Sequence, residues 1–239
     1  MRRPSFRNPL FRRRRFAGEV IILCVRWYLQ FKLSYRDMAE IAKELGVLVA
    51  PSTILRWVVR YAEDFSRLWR PFERPLCRSW RCDETYIKVG GSWMYLYRAV
   101  DELGRAVASH LSRTRDKTAA KAFFRKALKQ HGEPRTNTLD GFEPSHSALR
   151  LMGMRNEFNC RWKDPVKIRC CQYLNNMVEQ DHRRMKFRTQ SMLGFKTFYN
   201  ARRVLIGIEL MQKIVKGQFR IPAHFGHNTG SIWQMVLAS

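Results

Sequence analysis

Acidic residues are scarce in this sequence. Its 239 residues include 20 Asp and Glu against 45 Lys and Arg, so the net charge is +25. In a compact chain, the positive charges of such a surplus repel one another, and a surplus of this size is typical of proteins that bind a polyanion. Long hydrophobic runs are also absent, and the longest near the N-terminus, residues 20–25, is far shorter than the ~20 residues needed to cross a bilayer. We therefore expect a nucleic acid as partner and no membrane.

The six cysteines form no recognisable metal or disulfide framework. They are scattered along the chain, with no C-x-x-C pair and no His pair at zinc-finger spacing. A structural zinc site is therefore not expected. Six cysteines in a chain of this length do not make a disulfide scaffold, which fits a reducing cytoplasm.

Residues 1–16 carry seven arginines and no acid. No apolar segment with a small-residue cleavage site follows, so the pattern does not fit a secretory signal. Two interpretations remain open: a disordered tail solvated by its charge, or an arm that tracks DNA. We assign these residues as a basic disordered arm.

Two short helices joined by a tight turn are predicted in residues 34–61. Ser34 and Asp37 have the spacing of a capping box at the start of the first helix, and Gly46 stands where a helix ends in a left-handed residue. Residues 51 and 52 open the second helix, which places Thr53, Arg56 and Arg60 on one outward stripe. These residue types reach phosphates and base edges. The alternative is an ordinary helical hairpin, but the net charge favours a DNA-binding helix-turn-helix.

The rest of the chain predicts a mixed sheet flanked by helices. Alternation and turn signals predict strands over residues 80–89, 92–100, 105–112 and 135–139. Helical periodicity predicts helices over residues 116–131, 144–153, 174–189 and 198–216. Residues 154–172 have no clear assignment. The aromatic residues Trp57, Trp93, Tyr95 and Tyr97 are expected in the core rather than as base-stacking platforms.

Three carboxylates can converge in this arrangement. Asp83 lies in the first strand and Asp140 at the end of the fourth, and these strands can be neighbours. Glu179 lies on a late helix. Such a trio suits divalent cations, which prefer oxygen ligands, and two ions ~3.5–4 Å apart can support phosphoryl transfer. Glu84 points to the opposite face of its strand, so we expect it outside the metal site.

Helix geometry separates Glu179 from the nearby Asp181. At 100° per residue, Glu179 shares one polar face with Asn175, His182, Arg183 and Lys186, where metal and phosphate can approach. Asp181 falls on the apolar face, and its expected role is structural, accepting backbone or arginine donors. The alternative for the polar face is a solvated surface with ion pairs along the helix.

Several motifs resemble the transposases of insertion sequence family six. The first catalytic block is similar to DETYIKV at 83–89 with WMYLYRAVD at 93–101, and the second to TLDG at 138–141. The third is similar to YLNNMVEQDHR at 173–183 with MLGFK at 192–196. The helix-turn-helix of that family resembles SYRD at 34–37 and STILRW at 52–57. The resemblance covers roughly residues 17–217.

This resemblance implies an RNase H-like fold of the retroviral integrase type, with Asp83, Asp140 and Glu179 as catalytic, metal-binding acids. It implies two Mg²⁺ ions per site, with Mn²⁺ as a substitute, and DNA as partner. Thr53, Arg56, Arg60, His182, Arg183 and Lys186 become the expected DNA-binding residues. The implied activity is binding of terminal inverted repeats, metal-dependent strand cleavage and strand transfer, with a replicative outcome. A homodimer or higher assembly in the bacterial cytoplasm is expected, because two element ends must be handled together.

The predicted domains are a basic arm (1–16), a helix-turn-helix domain (17–62), a linker (63–78), an RNase H-like catalytic domain (79–217) and a C-terminal tail (218–239). One alternative stays open, namely a catalytically decayed transposase that acts only as a sequence-specific DNA-binding protein. The two hypotheses share the charge and the helix-turn-helix. They differ in whether three carboxylates are needed.

Overall fold

The structure is a computed structural model that describes residues 9–140, 143–152, 167–170, 176–190, 195–221 and 233. The chain divides into two compact units. A helical unit combines Met1–Arg74 with Tyr199–Ser239, and a sheet-based unit spans Pro75–Phe198. The first and last parts of the chain therefore build one unit, and the sheet-based unit is inserted between them.

Helices in the described ranges follow the sequence-based prediction closely. In chain order they are α1 (Gly18–Gln30), α2 (Tyr35–Glu44), α3 (Pro51–Trp69), α4 (Lys117–His131), α5 (Glu143–Leu151), α6 (Asn176–Gln190) and α7 (Phe198–Val215). The capping box of α2 is confirmed, because the Ser34 side chain accepts backbone N–H groups and Asp37 accepts the N–H of Ser34. Gly46 follows with φ of 76°, a left-handed conformation that favours glycine. No helix in the described part of the chain is long and apolar enough to span a membrane.

The core of the helical unit corrects two predicted boundaries. Helix α3 continues through residues 63–69, which were assigned to a linker, and buries Phe65 and Trp69 completely. Residues assigned to a tail contribute to the same core: the Phe219 ring lies 4.7 Å from that of Trp69, and the Trp233 ring 5.5 Å from that of Phe65. Helix α7 belongs here as well, since a Cβ added at Gly207 would clash with Leu29 of α1 at 2.7 Å.

Residues 9–16 correct part of the expected disordered arm. Phe11 is buried, and its ring centroid lies 5.2 Å from that of Tyr61 on α3. Phe16 contacts Trp57 edge to face at 5.1 Å. The four residues at 12–15 remain exposed arginines. The arm is thus anchored from Phe11 onward, and the prediction for residues 1–8 lies outside the described residues.

The sheet has five described strands: β1 (Ser79–Val89), β2 (Ser92–Asp101), β3 (Ala106–Ser112), β4 (Thr136–Leu139) and β5 (Lys167–Cys170). Their order is β3-β2-β1-β4-β5. The first three pair antiparallel as a meander, whereas β4 runs parallel to β1 and β5 parallel to β4. Strand β5 lies in the stretch left without an assignment from sequence.

Helices cover both faces of the central strands. On one face Trp80 and Cys82 of β1 pack with Phe123 and Phe124 of α4 and with Ala148 of α5. On the other face α6 packs against β1 and β2. This order of strands, with three antiparallel and two parallel members between helices, is the RNase H-like fold expected from the sequence.

Candidate active site

Two predicted acids lie side by side where the pairing of β1 with β4 ends. Cys82 of β1 is in register with Leu139 of the parallel strand β4, and the next residues are Asp83 and Asp140. Because the two strands run parallel, the residues that follow this register pair remain neighbours. The topology therefore brings these two carboxylates together, as the sequence predicted.

A third carboxylate in this cluster was excluded by the sequence-based argument. Single ligand oxygens of Asp83, Glu84 and Asp140 all lie within 4.8 Å of one another. Glu84 was expected outside the metal site, yet its carboxylate lies beside those of the two aspartates. Its backbone faces away from Asp83, as predicted, since it is in register with the core residue Tyr97.

Glu84 is held by two neighbours that the sequence did not single out. Ser145 of α5 donates its hydroxyl to Oε1 at 2.6 Å. Arg115 donates from Nη2 to Oε2 at 3.3 Å. Burial raises the pKa of the Glu84 carboxyl, and the hydrogen bond from Ser145 partly opposes this rise. These contacts fix the position of Glu84 beside the two aspartates.

Asp83 experiences several negative charges in a half-buried position. Its pKa is raised to about 6, mainly by burial and further by the charges of Asp140, Glu84 and Glu179, against a hydrogen bond from the backbone N–H of Glu84. Carboxylates crowded in this way disfavour their own ionisation until a cation compensates them. The electrostatics of the cluster thus favour a bound cation.

Helix α6 is attached to the sheet by a buried ion pair. Asp181 on α6 pairs with Arg98 of β2, and both side chains are almost completely buried. Arg98 is the register partner of Asp83, so the pair lies next to the acid cluster on the face covered by α6. The structural role predicted for Asp181 is confirmed, including its arginine donor.

The outward face of α6 carries Glu179, Arg183 and Lys186, which are all exposed. Glu179 is outside the set of described carboxylates that lie within 4.8 Å of one another. Its charge nevertheless raises the pKa of Asp83. The structure therefore places Glu179 near the cluster without closing the predicted trio.

His182 does not occupy the exposed face to which it was assigned. It is 5% exposed, and its Nδ1 lies 3.6 Å from Oδ2 of Asp83. The pKa of His182 is lowered to about 3, mainly by burial and also by the charge of Arg98, so the ring is neutral at pH 7. This burial argues against the predicted DNA contact. Its buried Nε2 has no hydrogen-bond partner among the described residues.

The predicted recognition residues lie on α3 in the helical unit. Arg56 and Arg60 are exposed, and Thr53 is half-buried. The Arg56 guanidinium donates from Nη2 to Oγ1 of Thr53 at 3.1 Å. The three side chains therefore form the single outward stripe that the helical spacing predicted.

The aromatic residues of β2 divide into two groups. Tyr97 is 1% exposed and Trp57 of α3 is 8% exposed, as expected for core residues. Trp93 is 61% exposed, so its assignment to the core is wrong. It lies at the start of β2, where the hairpin extends beyond the residues that pack against α4 and α5.

The donor set of the acid cluster fits divalent cations. Asp83, Glu84 and Asp140 offer only carboxylate oxygens, the ligands that Mg²⁺ and Mn²⁺ prefer. Burial and the neighbouring acids together raise the pKa of Asp83, and a bound cation would offset both effects. Phosphoryl transfer with the help of cations is the chemistry that such an arrangement supports.

Comparison with known proteins agrees with this geometry. A DDE domain family of the IS240 transposase type matches residues 77–218. A transposase for the insertion sequence-like element IS431mec of Staphylococcus aureus is 35% identical over 233 residues, covering 96% of this chain and 99% of that protein. The transposase for the element IS257 in transposon Tn4003, also from Staphylococcus aureus, is 34% identical over 233 residues and again covers 96% of this chain and 99% of that protein. The catalytic core domain of HTLV-2 integrase in complex with magnesium superposes with a TM-score of 0.37 and 16% identity, covering 48% of this chain and 71% of that one.

The matched DDE domain contains both aspartates of the acid cluster, and the relatives that match nearly the whole chain are transposases. The chain belongs to the DDE transposases, and within them to insertion sequence family six.

Proposed function

We propose that this transposase binds the terminal inverted repeats of its insertion sequence and catalyses metal-dependent strand cleavage and strand transfer. The observation that carries the proposal is the convergence of Asp83, within β1, and Asp140, just after β4, directly beyond the last register pair of the two strands. Glu179 supports it, because its charge acts on Asp83 from the neighbouring helix.

Asp83, Asp140 and Glu179 would hold two Mg²⁺ ions, and Mn²⁺ would substitute. When bound, such ions activate the attacking oxygen and stabilise the leaving oxygen of a phosphodiester. Glu84 acts as a positioning residue, because Ser145 and Arg115 already occupy its oxygens.

The surrounding side chains have separate tasks in this proposal. The ion pair between Arg98 and Asp181 keeps α6 on the sheet, so that Glu179 stays beside Asp83. Arg183 and Lys186 are exposed on the same helix and would neutralise phosphates of the bound strand. His182 is buried and neutral beside Asp83 and would orient that carboxylate.

Recognition of the element ends is assigned to the stripe on α3. Arg56 and Arg60 would contact base edges or phosphates, with Thr53 holding the Arg56 guanidinium. We further propose a dimer or larger assembly, because the two ends of the element must be handled together, and a replicative outcome that leaves cointegrates.

The test uses the full chain with supercoiled plasmid that carries both element ends, in Mg²⁺. We expect nicking and joining by the wild type, no reaction by Asp83→Ala or Asp140→Ala, and end-DNA binding near wild type in both variants. Glu102→Ala is a matched control, since it removes an exposed acid of the same unit outside the cluster. Reaction by either aspartate variant would refute the assignment. An intact plasmid with wild-type protein that still binds the ends would indicate a DNA-binding protein without catalysis.

A further inference from the structure

An aromatic cluster lies exposed at the tip of the β1–β2 hairpin. It consists of Tyr86, Trp93 and Tyr95, with Trp93 61% and Tyr86 45% exposed. The Tyr86 ring lies 5.4 Å from Tyr95 and 6.5 Å from Trp93 between centroids. Exposing two large rings forgoes the burial that stabilises most aromatic side chains. A group of them with open faces is therefore a candidate contact surface.

The aromatic cluster is connected to the acid cluster through one guanidinium. Arg115 contacts Oε2 of Glu84 at 3.3 Å through Nη2 and the hydroxyl of Tyr86 at 3.4 Å through Nη1. Residues 84, 86 and 88 alternate onto the same face of β1. The exposed rings thus continue the sheet face on which Glu84 lies, directly beyond the candidate active site.

Basic side chains surround these rings. The Lys88 ammonium lies 5.9 Å from the centroid of the Trp93 ring. Lys186 of α6 lines the same open cavity of about 930 Å³, together with Tyr86, Trp93 and Tyr95. Within the described residues that line this cavity there is no acid. The surface therefore combines aromatic faces with positive charge alone.

We propose that the aromatic cluster stacks against an unpaired base of the DNA strand beside the scissile phosphate, with Lys88 and Lys186 on its backbone. Aromatic faces with neighbouring cations are the usual platform for single-stranded nucleic acid, because every base presents a π face. Paired bases hide that face within the stack, so only a frayed or flipped nucleotide can occupy the site. The proposal rests on the proposed function for its location and adds the state of the DNA that the site receives.

A second copy of this chain is the competing occupant of an exposed aromatic surface. Charge argues against it, because Lys88, Lys186 and Arg115 border the surface and the whole chain carries +25. Two such surfaces placed face to face would repel each other, whereas a phosphate backbone would be attracted.

The test measures binding of the full chain to single-stranded (dT)15 and to the (dT)15·(dA)15 duplex, by fluorescence anisotropy. We expect Trp93→Ala and Tyr86→Ala to weaken single-strand binding about 5- to 150-fold while duplex binding changes less than twofold, because stacking on one ring contributes ~1–3 kcal/mol per base. Trp93→Phe should restore most of the single-strand affinity. It should also lose the quenching of tryptophan fluorescence that stacking causes in the wild type.

Tyr199→Ala is the matched control. Tyr199 is 58% exposed, and the Arg203 guanidinium lies 5.2 Å from its ring centroid, but it belongs to the helical unit. Single-strand affinity should stay at the wild-type value in this variant. Equal losses on both DNAs, or no loss in Trp93→Ala, would overturn the proposal. A change in sedimentation of Trp93→Ala with unchanged DNA affinity would overturn it too, and would identify an interface between copies.

The proposed function can fail separately from this inference. Glu102→Ala should bind (dT)15 like the wild type, because it removes an exposed acid that lies outside both the acid cluster and the aromatic cluster. If wild-type protein leaves plasmid intact while the Trp93 series behaves as expected, catalysis is refuted and the stacking surface stands. If the plasmid is cut and joined but the Trp93 series shows no effect, the stacking surface is refuted alone.

Discussion

Arg98 of β2 and Asp181 of α6 form an ion pair whose side chains are 0% and 2% exposed. Arg98 is also the register partner of Asp83 in the sheet. A single buried arginine therefore connects the part of the sheet beside Asp83 to the helix that carries Glu179. The attachment of α6 to the sheet depends on Asp181.

Asp181→Asn should lower the stability of the protein while leaving the acids intact. Removing one partner leaves Arg98 buried without its counter-charge, which costs ~3–5 kcal/mol. At roughly 2–4 °C per kcal/mol for a chain of this size, the loss is visible in a thermal melt. Strand transfer below the melting transition should persist.

Glu179→Gln is the contrasting variant, because Glu179 is exposed and adjacent to the site. It should melt within about 1 °C of the wild type and lose strand transfer in Mg²⁺. A stable, inactive Asp181→Asn beside an active Glu179→Gln would contradict both roles and move the third acid to position 181.

The pKa of Asp83 predicts how pH affects the metal-free protein. The pKa of Asp83 is about 6 in the folded state against an ordinary 3.8. Between these two pH values, Asp83 is therefore protonated in the folded state and ionised in the unfolded state. The resulting stabilisation is complete below pH ~4 and is lost as pH rises through about 6. In EDTA at pH 7, Asp83→Asn should therefore melt above the wild type, and the gap should close toward pH 4.

Mg²⁺ should offset the loss of stability that ionised Asp83 causes in the metal-free protein. At pH 7 it should raise the melting temperature of the wild type but not of Asp83→Asn, and its effect on the wild type should be smaller at pH 5, where Asp83 is protonated. Melting temperatures of the two proteins that run parallel from pH 4 to 7 in EDTA would exclude this account.

End recognition should depend on Arg56 and Arg60. If either arginine contacts a base edge, its replacement by alanine costs ~1–3 kcal/mol of specific binding free energy. If it contacts a phosphate, the slope of log affinity against log salt concentration decreases in magnitude by about one. Arg67→Ala is the control on the same helix, because Arg67 is exposed and paired with Asp64. Competition binding in which the double variant and the control behave alike would remove α3 as the recognition helix.

The exposed arginines at 12–15 should supply affinity without specificity. Replacing all four by glutamine should weaken binding to every DNA sequence alike and reduce the salt slope by roughly 0.9 for each phosphate that is no longer neutralised. Phe11→Ala tests the anchor separately: this buried side chain packs on α3, so its truncation should lower the melting temperature by an amount equivalent to ~3–5 kcal/mol. A loss confined to the element ends in the glutamine variant would show base readout instead.

Local patterns in the sequence were sufficient for much of the sheet-based unit and for a helix start in the helical unit. Alternation in β1 and β2, with two glycines between them, defines the hairpin, and the capping box defines the start of α2. The inward position of Asp181 followed from helical angle alone. These features depend on neighbours within a few residues, which is the range that periodicity can report.

Most of the errors concern partners that are distant in sequence. Periodicity gives the direction of a Cβ atom but not the reach of a side chain, so Glu84 was placed outside the cluster that it joins. It also placed His182 on an exposed face, although β1 covers it at Asp83. Strand β5 and the partners Phe219 and Trp233 of α3 carry no local signal, because their roles are defined by strands and helices far away in the chain.

The order in which the ribosome makes this chain follows from the shared helical unit. The sheet-based unit, Pro75–Phe198, is contiguous and can fold as soon as it has emerged. The N-terminal helices emerge first but complete their core last, because Trp69 and Phe65 are covered only when Phe219 and Trp233 have been made. A copy of the gene truncated after residue 198 would therefore encode a complete sheet-based unit attached to a helical unit with exposed core residues. The nascent protein should therefore complete its helical unit, with the proposed DNA-binding surface, only at the very end of translation.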